Sequence, residues 1–277
     1  MDYKIVIDSS CDITPQLEER LGAISVPMTM RLGEKEFTDD ENLDLPGFIS
    51  EMKACMEKVS SASPSPFAFQ KAIELAKHAF VVTISSQLSG SYSSAELGKK
   101  CAEENGITDV HVFDSKSASA GELLLAIKIR EMLSRGMPKE QIIKAVNSFI
   151  SNMKTYFILE RYDNLIKNGR LNKVTGKIIN ALNIKLIMGA DSNGSIALYA
   201  KSRGTKQMIE KILSFIKSKE KPTSGETMVI SHCNNLPLAK QLSDAVKKQF
   251  DFKEIIIVPT KGVISLYADD KGIVLAF

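Results

Sequence analysis

The sequence predicts an α/β protein whose first half is built from parallel βαβ units. Three observations support that class. Short apolar, strand-like runs alternate with helix-like stretches, the pattern of a parallel sheet covered on both faces. Small-residue turns punctuate the alternation at Ser60–Pro66, Ile84–Ala95 and Asp114–Gly121, and parallel sheets bind ligands at the carboxyl ends of their strands. At 277 residues, the chain is long enough for two domains, each with its own core.

The elements follow from local chemistry. Lys4–Ile7 is strand-like, Pro15–Leu21 helical, Ile24–Met30 β-rich, and Leu45–Lys58 an amphipathic helix. The turn cluster Ser60–Pro66 precedes a helix over Phe67–Lys77, a strand over Phe80–Ile84 and a helix over Ala95–Glu104. His111-Val-Phe113 then ends a strand. From Glu140, the positions Ile142, Ile143, Val146, Phe149, Ile150 and Met153 recur at helical spacing, so this helix leads out of the first domain, with a boundary near Lys154. Thr155–Leu159 reads as a strand, followed by a short helix stopped at Gly169. Gly194–Ala200, Thr227–Ser231 and Glu254–Pro259 read as further strands, and Lys206–Lys217 and Pro237–Phe250 as helices.

The serine-rich turn Ile84-Ser-Ser-Gln-Leu-Ser-Gly-Ser-Tyr-Ser-Ser-Ala95 is the most informative stretch. It links a strand to a helix, and a helix start carries unpaired N–H groups and partial positive charge. Ser89 and Ser91 add hydroxyls, and Gly90 permits close backbone approach, so the turn reads as a pocket for a carboxylate or phosphate. A serine acting simply as an N-cap would leave the same pattern, and the turn alone does not choose between the two.

Composition narrows the function. The chain is 44% hydrophobic and 25% charged with a net charge of +3, too small an imbalance for a nucleic-acid footprint. The aromatic residues are not interleaved with Lys and Arg, as single-strand binding would require. The start of the chain enters a strand pattern without the features of a signal peptide, which predicts a cytoplasmic protein. No apolar run approaches a membrane span, leaving a pocket or a transient membrane-surface contact as the route to lipid. Cys11, Cys55, Cys101 and Cys233 are scattered and predict reduced thiols, with neither a zinc knuckle nor a redox pair. No nucleotide loop or metal cluster stands out, so no cofactor is expected; the triplet Asp39-Asp40-Glu41 reads as a solvated loop.

Seven pieces occur in one order along the chain: Asp8-Ser-Ser-Cys-Asp12; Val26-Pro27 with Asp39; Ser61-Ala-Ser-Pro-Ser-Pro66; Leu88-Ser-Gly-Ser-Tyr-Ser-Ser-Ala95; Asp114-Ser115 with Gly121; Asn168-Gly-Arg170; and Lys185–Gly194 with Arg203 beyond. Together they resemble the DegV family of bacterial fatty-acid-binding proteins over essentially the whole length. The resemblance implies two α/β domains. Residues 1–154 would form a parallel-sheet α/β/α domain carrying the serine-rich turn. Residues 155–277 would form a mixed-sheet domain covered by helices that closes the lipid site. It further implies a long-chain fatty acid with its tail in an apolar tunnel and its carboxylate between the domains. The protein would do no chemistry itself and would present the acid to a separate fatty acid kinase.

Residue by residue, the family's head-group serine matches Ser89, with the Gly90 N–H beside it. The family's threonine before Pro-x-Pro matches Ser61, and two arginines near the head group match Arg170 and Arg203. A guanidinium suits a carboxylate because its planar fork donates two parallel hydrogen bonds. The chain departs from the pattern at Leu266-Tyr-Ala-Asp-Asp-Lys-Gly272, where many members carry a histidine and Gly-Pro-Gly. Tyr267 falls at the histidine, and its phenol can still donate a hydrogen bond. Asp269 and Asp270 would bring negative charge near the head group unless the loop points away. Two other functions stay open: a diverged member that binds another small carboxylate or lipid without a kinase, and a serine esterase. The esterase would draw on His78, His111 or His232, but no nucleophile-elbow motif is present.

Overall fold

The computed structural model describes residues 3–171, 184–218 and 223–277. A four-stranded sheet is formed by β1 (Lys4–Asp8), β2 (Ala23–Val26), β6 (His78–Thr83) and β7 (Asp109–Asp114) in the order β2-β1-β6-β7. All its pairings are parallel. From β1 the chain goes first to one side and later to the other, so the strand order reverses between β1 and β6. Open α/β sheets bind ligands at such a switch point.

Period-two alternation sends β1 side chains to opposite faces. Val6 joins Val81 and Val112 against α3 (Pro66–Ala76) and α4 (Ser91–Glu104). These two helices approach closely at Gly98, where a Cβ would stand 2.6 Å from the Pro66 carbonyl oxygen. Ile5 and Ile7 face the other way, onto α5 (Ala120–Ser134). Helix α1 (Pro15–Leu21) shows why the local reading works. Thr14 caps it, Pro15 occupies its first turn, and Gly22 ends it at φ 57°, a left-handed conformation that suits glycine.

A second sheet has six strands in the order β10-β9-β8-β13-β11-β12. Its members are β8 (Thr155–Ile158), β9 (Ile184–Ala190), β10 (Ile196–Arg203), β11 (Thr227–His232), β12 (Glu254–Pro259) and β13 (Ile273–Ala276). The β11–β12 pair is parallel and the other pairs antiparallel, which makes the sheet mixed. Helices α8 (Gly204–Lys217) and α9 (Leu236–Lys247) cover one face. The opposite face contributes Val229, Val258, Val274 and Ala276 to the α5 core, so α5 is buried between the two sheets. All strands of the parallel sheet precede Lys154 and all strands of the mixed sheet follow it, while this core runs across both. Helix α6 (Lys139–Asn152) joins the two parts.

The structure differs from the sequence reading in the region between β2 and α3. The run Ile24–Met30 is two strands, because Pro27 has no N–H to continue the ladder. Strand β3 (Thr29–Leu32) lies instead in a small antiparallel sheet, β4-β3-β5, with β4 (Lys35–Thr38) and β5 (Val59–Ala62). The amphipathic helix α2 (Leu45–Ala54) is shorter than expected, and the first part of the Ser60–Pro66 turn cluster is strand β5. Ser60 and Ser61 pair with Arg31 and Met30 there. Such residues carry little strand propensity, and the long-range pairing overrides it.

Candidate functional site

A cavity of about 340 Å3 lies where the parallel sheet's carboxyl-end loops meet the small sheet, the mixed sheet and α10 (Gly262–Ala268). Its volume is in the range of small-molecule sites. Most of the wall is apolar: Met28, Ile84 and Leu88, with Phe157 from β8, Leu159 just after it, Leu165 from the α7 helix (Asp163–Lys167), Ile196 from β10, and Val263, Ile264 and Ala268 from α10. These side chains belong largely to one buried cluster.

The polar part of the wall gathers Ser61, Ser63, Ser89, Gly90, Arg170 and Tyr267. Ser61 Oγ and the Tyr267 hydroxyl are 2.9 Å apart. The Arg170 guanidinium carbon lies 5.8 Å from the centre of the Tyr267 ring, a cation–π contact. Arg170 is steadied by donating from Nε to Leu88 O at 3.1 Å and from Nη1 to Asn168 O at 2.6 Å. Gly90 is the N-cap of α4, and no side chain caps that helix. Ser89 Oγ accepts from the Ser91 N–H at 3.2 Å. The N-cap is thus a glycine, and the helix start faces the cavity with its partial positive charge.

Two buried carboxylates shape this wall from behind. Asp8, at the end of β1, spans the switch point: its Oδ2 accepts from the Ile84 N–H at 3.0 Å and from Ser91 Oγ at 2.5 Å, one on each side of the serine-rich turn. Asp39 accepts from the N–H groups of Gly262 and Val263 at 2.8 and 3.0 Å, which fixes the start of α10 and so the seats of Val263 and Ile264. The solvated-loop expectation for Asp39 is therefore corrected, since Asp39 is 1% exposed. Burial pushes its carboxyl above the ordinary range, against the backbone donors that favour the anion. Asp12, which accepts from Ser119 Oγ and the Lys261 N–H, is pushed by burial to about 7. Ser119 itself, a lining residue, sits at φ 59°; its N–H donates to Ser10 O and to Glu122 Oε1, both at 3.1 Å, and these bonds hold the strained backbone.

Of the residues singled out from sequence, Ser61, Ser89, Gly90, Arg170 and Tyr267 all line the cavity. Arg203 does not: it is exposed at the end of β10, where its N–H donates to Gln207 Oε1, and β10 pairing with Ile184 directs that end of the strand elsewhere. Asp269 and Asp270 are also outside the lining. Asp269 approaches Arg161 at 3.8 Å, and Asp270 pairs with Lys53 at 3.0 Å. Sequence reasoning missed Ser63, Ser117, Ser119, Thr155 and Ser195 as lining residues. Ser63, Ser117 and Ser119 did stand inside small-residue turns that the sequence marked. Among the described residues, no group of His, Cys, Asp and Glu could hold a metal ion, and no helix is long and apolar enough to cross a membrane.

A sequence model described as "uncharacterised protein, DegV family" matches residues 2–277. A DegV domain-containing protein of Streptococcus pneumoniae is 34% identical over 282 residues, covering 100% of this chain and 99% of that protein. The crystal structure of a DegV family protein from Ruminococcus gnavus, refined with vaccenic acid, has a TM-score of 0.93 at 34% identity and covers 99% of both chains. That of the Streptococcus pneumoniae fatty acid kinase B3 protein, loaded with linoleic acid, has a TM-score of 0.91 at 33% identity, covering 100% of this chain and 99% of that one. With a match that runs from the second residue to the last, the chain belongs to the DegV family.

Proposed function

We propose that this protein binds a long-chain fatty acid and presents it to a separate fatty acid kinase, without catalysing a reaction itself. The carboxylate would lie against Ser61, Ser89, the Gly90 N–H, Arg170 and Tyr267, where residues 1–154 and 155–277 meet as two domains, and the tail would fill the apolar part of the cavity. The observation that carries this reading is the meeting of the Ser61 and Tyr267 hydroxyls, the Arg170 guanidinium and the start of α4 in the lining of a mostly apolar cavity. The relatives from Ruminococcus gnavus and Streptococcus pneumoniae, crystallised with vaccenic and linoleic acid, support it. The name of the second supports a kinase partner.

Burying a tail of roughly 16 carbons at about 0.8 kcal/mol per CH2 offers roughly 10 kcal/mol before entropic costs, enough for tight binding driven by the chain. The serine esterase reading lacks a base: no His, Asp or Glu is among the lining residues described. The four free thiols fit a reducing compartment, which supports a cytoplasmic location. Native mass spectrometry of the purified protein, followed by denaturing extraction, tests the reading. A stoichiometric long-chain fatty acid is expected; a protein that is empty and takes up no added fatty acid would overturn it.

A further inference from the structure

Behind the serine-rich turn, the side chain of Glu122 in the first turn of α5 meets Ser10, and Ser10 meets Asp8. Ser10 Oγ lies 2.5 Å from Asp8 Oδ1 and 2.7 Å from Glu122 Oε1. A hydroxyl has one hydrogen, so it can donate to one of these oxygens only, and the other contact needs a proton from a carboxyl. The two carboxyls are not equivalent. Asp8 accepts from Ser10 N–H at 3.1 Å, Ile84 N–H and Ser91 Oγ besides the Ser10 hydroxyl, a full set for an anion. Glu122 Oε1 accepts a single N–H, from Ser119, and Oε2 is buried with no hydrogen-bond partner. Both residues are fully buried.

We infer that Glu122 is a neutral carboxylic acid at neutral pH, donating its proton to Ser10 Oγ, which in turn donates to the Asp8 carboxylate, and that this relay is a positioning device for the serine-rich turn. The order of donors runs Glu122 O–H to Ser10, Ser10 O–H to Asp8, and Asp8 then anchors Ile84 and Ser91 on the two sides of Ser89 and Gly90. An ionised Glu122 would leave two carboxylates contending for one hydrogen and an anionic oxygen without a donor.

The ionisable groups around Glu122 are consistent with this. Asp8, Cys11 and Asp12 surround it, and Asp39 and Lys261 lie beyond, next to Asp12. Burial pushes the Glu122 carboxyl well above its ordinary range, and the Asp8 charge, a hydrogen bond shared with Asp8 and the Asp12 charge add to this; burial raises Asp8 as well, but there the hydrogen bonds from Ser10, Ser91 and Ile84 oppose it. The anchoring half of the inference rests on the head-group reading of the Ser89 turn, whereas the protonation half does not.

Infrared spectroscopy of the full-length, delipidated protein at neutral pH tests the protonation. A carbonyl stretch of a neutral carboxylic acid is expected in Asp12→Asn, where the carboxyl that titrates near 7 is absent, and its loss in the double variant Asp12→Asn with Glu122→Gln. An Asp12→Asn protein without that band, or a band that survives unchanged when Glu122→Gln is added to it, would overturn the inference. Titration with a fluorescent long-chain fatty acid tests the anchoring. Glu122→Gln, whose amide can donate to Ser10, should keep affinity within about threefold, whereas Glu122→Leu, which cannot, should lose about tenfold or more with its circular dichroism unchanged. Equal affinities of the Gln and Leu variants would overturn the anchoring. Absence of binding by the wild type would instead overturn the fatty-acid reading, and the infrared result would stand by itself.

Discussion

Ser61 and Tyr267, 206 positions apart, share a hydrogen bond of 2.9 Å across the cavity wall. It joins the small antiparallel sheet to α10 and places two hydroxyls side by side, next to the Arg170 guanidinium. One of those hydroxyls can donate to the other while the second turns its hydrogen to a ligand. Tyr267 would thereby offer a hydrogen-bond donor at the position where the family resemblance places a histidine. Replacing Tyr267 by Phe is expected to weaken fatty-acid binding by roughly fivefold, about 1 kcal/mol for one hydrogen bond, measured by calorimetric titration. Unchanged affinity would take Tyr267 out of the site.

The two arginines separate cleanly. Arg170→Ala should cost roughly ten- to hundredfold in affinity for a fatty acid, the range of a charge-assisted hydrogen bond, and much less for the corresponding methyl ester. Arg203→Ala should change neither by more than about twofold, because Arg203 is exposed and outside the cavity lining. A larger effect at Arg203 than at Arg170 would refute the geometry.

Asp39 carries a structural load that its acidic neighbours do not. Removing its carboxylate leaves the Gly262 and Val263 N–H groups without their acceptor, and α10 loses its anchor. Chemical denaturation of Asp39→Ala should show a loss of about 3 kcal/mol, whereas Glu41→Ala, at an exposed position, should stay within about 0.5 kcal/mol.

Asp12 predicts the direction of the pH dependence. Its carboxyl is raised by burial from 3.8 to about 7, so between those values the folded protein binds more protons than the unfolded chain. Its contribution to stability is full below the unfolded value and is lost as the pH rises through about 7. Urea midpoints should therefore fall over this window in the wild type and fall less steeply in Asp12→Asn. A slope unaffected by the substitution would show that Asp12 does not titrate there.

Much of the fold is legible where one face of an element is apolar and its ends carry caps. Helix α1 and strand β12 match their expected spans, because each is determined by its own residues. Helix α5 carries a capping box, Ser119 with Glu122, but no amphipathic face. Its Leu123–Ile127 run is apolar all round because sheets pack on both sides of it, and a helix buried on every face loses its amphipathic period. Strands β4 and β5 are short and polar, and only their pairing with β3 makes them strands.

For the site, the sequence by itself determined the chemistry of the serine-rich turn: a strand end, small residues with hydroxyls, and a helix start, all encoded within a dozen positions. The family resemblance extended this to Ser61, Arg170 and Tyr267. The tertiary structure decided which of the separate pieces meet. It brought Ser61 to Tyr267, turned Asp269 and Asp270 away, left Arg203 outside, and buried Asp39 beneath α10. The reason is physical: periodicity and capping act over one or two helical turns, whereas the cavity wall is drawn from two sheets and the end loops of the third, and its apolar side chains are selected by packing between elements far apart in sequence.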